Sequence, residues 1–207
     1  MSSALYISAS CVIRNFRVYK NGSFFFEAPQ KELPAFLTAL YQFSGVKYPK
    51  FYKMDNLSKL GFLGAEILLE GFDKTAYEAP DAGIVLSNAS SSLDTDRKYY
   101  ETVKDIPSPA LFVYTLPNIV IGELCIRHNF KGENAFFISE SFDAGFIEQY
   151  VANLFNNDIL QVCLCGWLEL MGDHHEAALF LVEKKEKAGP ETFSAEHIKK
   201  IYQKEHG

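Results

Sequence analysis

Residues 116–145 decide the fold of this chain. They read LPNIVIGELCIRH (116–128), NFK (129–131), GENAFFIS (132–139) and ESFDAG (140–145). The first block has almost no polar face, and Thr115 as N-cap with Pro117 in the first turn is typical of a helix start. We therefore predict a central helix over 116–128, then a turn, a strand over 135–140 and a helix over 143–156.

The N-terminal part is rich in strand signals. Residues 4–14 favour a strand, and residues 16–28 favour a second extended segment that turns at Lys20-Asn21-Gly22-Ser23. Asn-Gly between two apolar runs is a strong hairpin signal. Residues 29–41 are predicted to form a short helix.

A second long helix is predicted over residues 54–72, capped by Asp55 or Asn56. Gly61 and Gly64 interrupt its apolar face and are tolerable where a backbone packs closely against them. Residues 83–87 are continuously apolar, which predicts a strand buried on both faces. We interpret Asn88, Ser90, Ser91 and Ser92 as a turn leading into a helix over 94–103; a ligand-contacting loop is the less favoured alternative.

The remaining pattern predicts strands over 159–168 and 176–184, a polar hinge at Ala188-Gly189-Pro190, and a terminal helix over 194–204 capped by Ser194. Strands alternating with helices indicate an α/β fold with helices on both faces of the sheet. Residues 1–207 show no repeat or low-complexity linker, so we expect a single domain.

Composition limits the classes of function. The net charge is −6 and the basic residues are scattered, apart from Lys184, Lys185 and Lys187, which argues against nucleic-acid binding. No run approaches the roughly 20 apolar residues of a membrane span, and the N-terminus lacks signal-peptide features. Cysteines within apolar runs suggest reduced thiols and a cytoplasmic protein. Eighteen Phe and eleven Tyr suggest a thick core or an extensive interface.

The segment 116–145 resembles the one that leads into the nucleophile of β-ketoacyl synthases, where a helix, a G-P-N turn and a strand deliver a catalytic Cys to the next helix. Other segments resemble that family in the same order. They are YKMDNLSKL (52–60, like R-M-D-R-F-S-x-L), GIVLSNA (83–89, like G-V-V-x-G-T-G), residues 158–166 (like D-x-x-L-A-G-G) and EAALFLVE (176–183, like E-G-A-G-A-L-V-L-E).

The resemblance implies the N-terminal half of a thiolase-like layered fold, with a mixed sheet covered by helices. The nucleophile position falls on Ser141 or Phe142, depending on a one-residue gap, and neither is Cys. The family's two catalytic His residues come from a second half to which this sequence has no counterpart. The resemblance is closest to short ketosynthase-like proteins near aryl-polyene and fatty-acid pathways.

Ser141 is the candidate nucleophile, but a Ser needs a neighbouring base, so an N-cap or turn role shared with Asp143 is favoured. Cys163 and Cys165 share a strand face, where two core residues are favoured over a zinc pair. We expect His174 and His175 to be exposed turn residues, His197 and His206 to be exposed, and His128 to complement the helix dipole. We predict no metal and no cofactor.

The leading hypothesis is a non-catalytic, ketosynthase-like accessory protein of fatty-acid or polyketide biosynthesis that acts by dimerising. In the family, the strand before the nucleophile pairs across the dimer axis; that strand carries over to Ala135, Phe136, Phe137, Ile138 and Ser139. The partner would be a second copy or a full-length ketosynthase, with acyl carrier protein as a further candidate.

Two alternatives stay open. One is an acyltransferase or ketosynthase-related enzyme that uses Ser141. The other is an acyl-chain binding module, in which Ser141 would leave the pocket open and Phe142 would block it.

Overall fold

The computed structural model describes residues 4–29, 31–184 and 191–204. Lys185, Lys187, the expected hinge at 188–190 and His206 lie outside these residues. The strands are β1 (Tyr6–Arg14), β2 (Arg17–Lys20), β3 (Ser23–Glu27), β4 (Ala82–Asn88), β5 (Asn134–Ile138), β6 (Val162–Met171), β7 (His174–Glu183) and β8 (Glu191–Thr192). The helices are α1 (Leu33–Phe43), α2 (Asn56–Leu68), α3 (Leu93–Val103), α4 (Pro109–Phe112), α5 (Ile119–His128), α6 (Ala144–Asn156) and α7 (Ala195–Gln203).

The strands form one mixed sheet in the order β3-β2-β1-β7-β6-β4-β5, and β8 pairs with the start of β1. β4 runs parallel to both β5 and β6, whereas β6 and β7 form a long antiparallel hairpin. Helices cover both faces, which confirms the predicted fold class. No helix in the described ranges is both long and apolar enough to cross a membrane.

The predicted N-terminal hairpin is confirmed as β2–β3. Asn21 and Gly22 have φ values of 50° and 73°, so both turn residues lie in the left-handed region that a type I′ turn requires. The Asn21 side chain also accepts a hydrogen bond from the amide of Ser10 at 2.8 Å. The turn is thereby fixed to β1, the next strand in the sheet.

Two hydrophobic cores lie on opposite faces of the sheet. One lies under α1, α2 and α5, and the other lies under α6 and α7. The strands β4, β6 and β7 separate the cores and are buried almost throughout, as predicted for β4. Asp55, Asp143 and Ser194 cap α2, α6 and α7 through their side chains, as expected from the sequence.

α2, rather than α5, is the central helix. A Cβ atom on Gly61 would press on side chains of α5 and β6, and one on Gly64 would press on Leu179. The glycines therefore let α2 lie close to these side chains. The atoms that approach the two glycines belong to side chains and not, as we expected, to another backbone. α2 is buried on nearly every side.

The prediction that α5 is central is wrong. Its outer face is exposed, with Ile126 70% accessible. The helix begins at Ile119 with Asn118 as N-cap, because the Thr115 hydroxyl instead donates to the carbonyl of Phe112 and closes the turn after α4. An apolar helix thus lies at the periphery of the chain.

Candidate functional site

A cleft of about 660 Å³ opens at the carboxyl ends of the parallel strands β4, β5 and β6. Ligands in open α/β sheets commonly bind at this end. The lining residues come from β1, the loops after β4 and β5, the β6–β7 hairpin and α7: Arg14, Ala89, Ser90, Glu140, Ser141, Phe142, Trp167, Glu169, Met171, His174, Glu176, Tyr202 and Gln203.

Both candidates for the nucleophile position lie in this cleft. Ser141 is exposed. Phe142 is half-buried and packs against the rings of Tyr202 and Trp167, with centroid distances of 4.7 and 5.9 Å. The Phe142 ring therefore forms part of the cleft wall and does not close the cleft.

No general base is hydrogen-bonded to the Ser141 hydroxyl in the part of the chain that the structure describes. Within the described residues, no histidine side chain hydrogen-bonds to it, although His174 lines the same cleft. The carboxylate of Asp143 accepts from the Phe146 amide at 3.0 Å and so occupies the N-terminus of α6. A negative charge there disfavours a second anion, whether an alkoxide or an oxyanion, at the same helix end.

A row of charged side chains crosses the floor of the cleft. Arg14, Glu176 and Glu169 are neighbours in register on β1, β7 and β6. Arg14 forms an ion pair with Glu176, and the Tyr202 hydroxyl donates to the other oxygen of Glu176 at 2.8 Å. Burial, followed by the Glu176 carboxylate, raises the pKa of Tyr202 to about 12. Glu176 is therefore satisfied on both oxygens.

Glu169 is 4% exposed and only partly satisfied. Its Oε2 accepts from the amides of Ala89 and Ser90 at 2.7 and 3.1 Å, whereas its Oε1 is buried and has no hydrogen-bond partner among the described residues. A buried carboxylate oxygen in this state is unusual and indicates a place where a further donor fits.

The loop after β4 is a turn, as predicted. The Asn88 side chain accepts from the Ser91 amide and donates to the Ser91 carbonyl, both at 2.9 Å, and Ser91 has a φ of 52°. Two further amides of this loop point at Glu169. A loop whose amides already hold a carboxylate is a poor phosphate site.

The expectation for His175 is wrong. His174 is exposed, but both residues belong to β7, and the His175 ring is buried against Phe16 at a centroid distance of 4.5 Å. Burial lowers its pKa. Strand alternation explains the difference, because successive side chains point to opposite faces of the sheet.

His128 is also buried, and the expected charge at the end of α5 is wrong. Burial and the nearby Lys74 ammonium, 2.8 Å from Nδ1, lower the pKa of His128 to about 4. The side chain is therefore neutral near pH 7. His197, expected to be exposed, is half-buried, and its Nδ1 lies 2.8 Å from the Thr192 carbonyl oxygen.

Cys163 and Cys165 share a face of β6 and are fully buried in the core under α6, as the core interpretation predicted. Burial raises the pKa of Cys165 well above its ordinary value. Within the described ranges, no group of three His, Cys, Asp or Glu side chains could hold a metal ion.

The residues expected to form an interface lie at one edge of the sheet. Ala135, Phe136, Phe137 and Ile138 belong to β5 and Ser139 follows it; in the described part of the chain β5 pairs with β4 alone. Ile138 is 53% exposed, and the Phe137 ring packs against Phe146 of α6 at 4.8 Å. The other side of β5 is an open ladder.

Sequence reasoning missed four side chains of the cleft: Arg14, Glu169, Glu176 and Tyr202. A signal for two of them was present. Glu169 and Glu176 are charged residues within two buried apolar strands, and such residues are almost never fully buried without a partner. The partners come from β1, the β4 loop and α7, which only the folded chain brings together.

The fold is that of ketosynthases. The chain aligns with a chain of the ishigamide ketosynthase/chain length factor at a TM-score of 0.63 and 17% identity, over 91% of this chain and 64% of that one. A second structure is the complex of a type II polyketide synthase acyl-carrier protein with its ketosynthase. The chain aligns with a chain of this complex at a TM-score of 0.60 and 15% identity, over 88% of this chain and 63% of that one. The chain has a ketosynthase-like, thiolase-like fold.

A third structure, the ketosynthase ApeO in complex with its chain length factor ApeC from Xenorhabdus doucetiae, aligns at a TM-score of 0.54 and 12% identity, over 90% of this chain and 80% of that one. This chain thus spans about two thirds of the first two chains, at 64% and 63%, and more of the third. No protein-family model and no curated protein matches the sequence.

Proposed function

We propose that the chain is a non-catalytic, ketosynthase-like accessory subunit of fatty-acid or polyketide biosynthesis, of the aryl-polyene type, that pairs through the free edge of β5. Its partner is a second copy or a full-length ketosynthase, and acyl carrier protein is a further candidate. Ketosynthase/chain length factor pairs are among the structures with this fold. The four free cysteines fit a reducing compartment such as the cytoplasm.

The free β5 edge is the observation that carries this proposal. The amide of Ile84 donates to the Glu133 carbonyl, and the amide of Ser139 donates to the Asn88 carbonyl. In a parallel ladder with this register, the N–H and C=O groups of Asn134, Phe136 and Ile138 point away from β4. These groups are a template for one more strand.

The side chains of β5 support the same proposal. Positions 134–138 carry no charge and have half-buried aromatic rings at Phe136 and Phe137. An antiparallel second copy of β5 would continue the sheet and cover Ile138. A two-fold interface of this kind needs only one self-complementary surface.

The non-catalytic part of the proposal rests on the nucleophile position. Phe142 is packed between aromatic rings, Ser141 is exposed, and Asp143 already occupies the end of α6. An exposed serine without a base has the ordinary low reactivity of an alcohol.

The association is tested by the solution mass of the purified chain, measured by sedimentation over a hundredfold range of concentration. We expect twice the mass of one chain, or a mixed pair with a ketosynthase after capture from native lysate and identification by mass spectrometry. A chain that stays monomeric at all concentrations and captures no ketosynthase contradicts the proposal.

The absence of catalysis is tested separately. The chain is incubated with acyl-CoA and with acylated carrier protein, and its intact mass is measured. We expect no covalent adduct in the natural chain and in Ser141→Ala alike. A stable acyl adduct that Ser141→Ala abolishes would establish the serine enzyme instead.

A further inference from the structure

We infer that the cleft at the carboxyl ends of β4, β5 and β6 binds a small organic ammonium ion with an apolar body, and that Glu169 Oε1 accepts a hydrogen bond from the ammonium group. This site is separate from the β5 edge. It requires neither catalysis by Ser141 nor pairing of the chain.

The unpartnered oxygen of Glu169 is the first observation. The residue is only 4% exposed, yet Oε1 has no hydrogen-bond partner in the part of the chain that the structure describes, whereas Oε2 has two amide donors. Residues alternate along β6, so Glu169 shares a face with Trp167 and Met171, which also line the cleft. The Glu169 side chain is therefore on the cleft side of the strand.

The charge of the cleft is the second observation. Among the described residues, the carboxylates of Glu140, Glu169 and Glu176 and the guanidinium of Arg14 line it. Arg14 is already engaged by Glu176, and its guanidinium lies 4.8 Å from the centre of the Tyr202 ring. Glu169 directly faces Glu176 across the β6–β7 ladder, and like charges opposite one another are destabilising. A cation beside Glu169 would relieve this repulsion.

The apolar wall is the third observation. Trp167, Phe142 and Met171 line the cleft beside the carboxylates. Aromatic faces next to a carboxylate attract an ammonium group, and the rest of the wall can cover a short alkyl or aryl body. The volume of about 660 Å³ is in the range of small-molecule sites. An alkyl carboxylate of the same size would meet the carboxylates of Glu169 and Glu140 instead.

Trp167 is the only tryptophan of the chain and lies in the cleft wall, so its fluorescence reports on this site. The experiment titrates the full chain with hexylammonium, hexanol and hexanoate, all below their aggregation concentrations. We expect saturable binding of hexylammonium, binding of hexanol about tenfold weaker, and no binding of hexanoate, since a charge-assisted hydrogen bond is worth about tenfold or more.

The variant Glu169→Gln keeps the shape of the side chain and one oxygen that accepts from the two amides. It replaces the unpartnered oxygen Oε1 with an NH2 group. We expect it to weaken hexylammonium binding about ten- to hundredfold and to leave hexanol binding unchanged. The matched control is Glu140→Gln at the exposed rim, with an expected change of less than about twofold.

Three results overturn the inference. Equal affinity for hexylammonium and hexanol would mean that only the apolar wall binds. Tighter binding of hexanoate would identify an acyl-chain pocket. Equal losses in Glu169→Gln and Glu140→Gln would mean unspecific attraction to a negative surface. The probe series on the natural chain decides the first two even where Glu169→Gln does not fold, and none of these results bears on pairing through β5.

Discussion

The two edges of the sheet are built in opposite ways. β3, at one edge, is as long as β5, but its pairing with β2 shifts register between Val18 and Tyr19. Its last residue, Glu27, forms ion pairs with Arg17 and Lys31. β5, at the other edge, has no charge and a regular parallel ladder with β4.

This difference indicates which edge accepts a partner. Charges and irregular pairing at an outer strand discourage the addition of another strand, whereas an uncharged regular edge invites it. The hydrophobic face of β3 is moreover covered by α1, where Phe26 packs against Phe43 at 4.8 Å. Both strands are edges of the sheet, but the β3 edge is charged and irregular, whereas the β5 edge is uncharged and regular.

The largest expected effect concerns how closely the two edge strands, β5 and β3, are held to the rest of the sheet. A Cβ at Gly83 would overlap the carbonyl oxygen of Glu133 and the side chain of Leu160, and would push the start of β5 from β4. We expect Gly83→Ala to lower the free energy of unfolding by about 3 kcal/mol.

The matched change at the other end is Gly22→Ala, where the close atom among the described residues is the Nζ at the end of the long Lys204 side chain, at 3.2 Å, and the cost comes from the φ of 73°. We expect a loss of about 1 kcal/mol. Urea unfolding measures the loss in the free energy of unfolding for both variants. Equal losses would mean that the clash at the start of β5 costs no more than the strained turn at the β3 end.

The next effect concerns the open ladder of β5. Ile138→Pro removes an outward N–H without removing a hydrogen bond to β4, and residue 138 is largely exposed. We expect self-association, or association with a ketosynthase, to weaken about 10- to 100-fold, since one buried carbonyl of the partner loses its donor.

The control is Ile138→Val, which keeps the N–H and the apolar character. Sedimentation of the two variants compares them. An unchanged dissociation constant for Ile138→Pro, in a chain that still unfolds cooperatively, would place the interface elsewhere.

A third effect uses the buried histidine that precedes β5. As the pH falls, the unfolded chain protonates His128 near the ordinary value of 6.5, whereas the folded chain protonates it only near 4. Between these values the unfolded state binds more protons, so acid destabilises the fold. We expect His128 to account for about 2 kcal/mol of lost stability between pH 7 and pH 5.

This contribution is measured by urea unfolding at both pH values. His128→Gln should remove this contribution and keep the rest of the pH dependence. At the β3 end, His175 adds a loss in the same direction, because burial lowers its pKa too. An unchanged pH dependence in His128→Gln would mean that folding does not shift the pKa of this side chain.

The smallest effect tests the protection of the β3 edge. Glu27→Val removes the charge that two cations hold at the end of this strand. We expect weak additional self-association, detectable by light scattering only at high concentration, with cooperative unfolding retained. A stable tetramer at low concentration would mean that this one charge prevents another strand from pairing with the β3 edge.

Much of the fold was predictable because its signals are local. The Asn21-Gly22 turn, the buried run of β4 and the caps Asp55, Asp143 and Ser194 each depend on residues a few positions apart. The placement of α5 was not predictable in this way. A helix that is apolar all round is normally central, but here its outer face is left open beside α2.

The candidate site likewise has a part that was predictable from local sequence and a part that was not. Ser141 and Phe142 follow from the order of motifs in the chain. The cleft depends on Arg14, Glu169, Glu176 and Tyr202, which lie on β1, β6, β7 and α7. Their mutual positions follow from sheet register, in which residues far apart in sequence become direct neighbours.

The sequence alone thus determined the strands and helices, their order and their resemblance to ketosynthases, because hydrophobic period, caps and turns act over a few residues. The tertiary structure alone decided that, among the described residues, β5 is an edge strand, that His128 and His175 are buried, and that one oxygen of Glu169 has no donor. These properties depend on which surfaces meet, and long-range packing sets burial and hydrogen bonding only once the chain has folded.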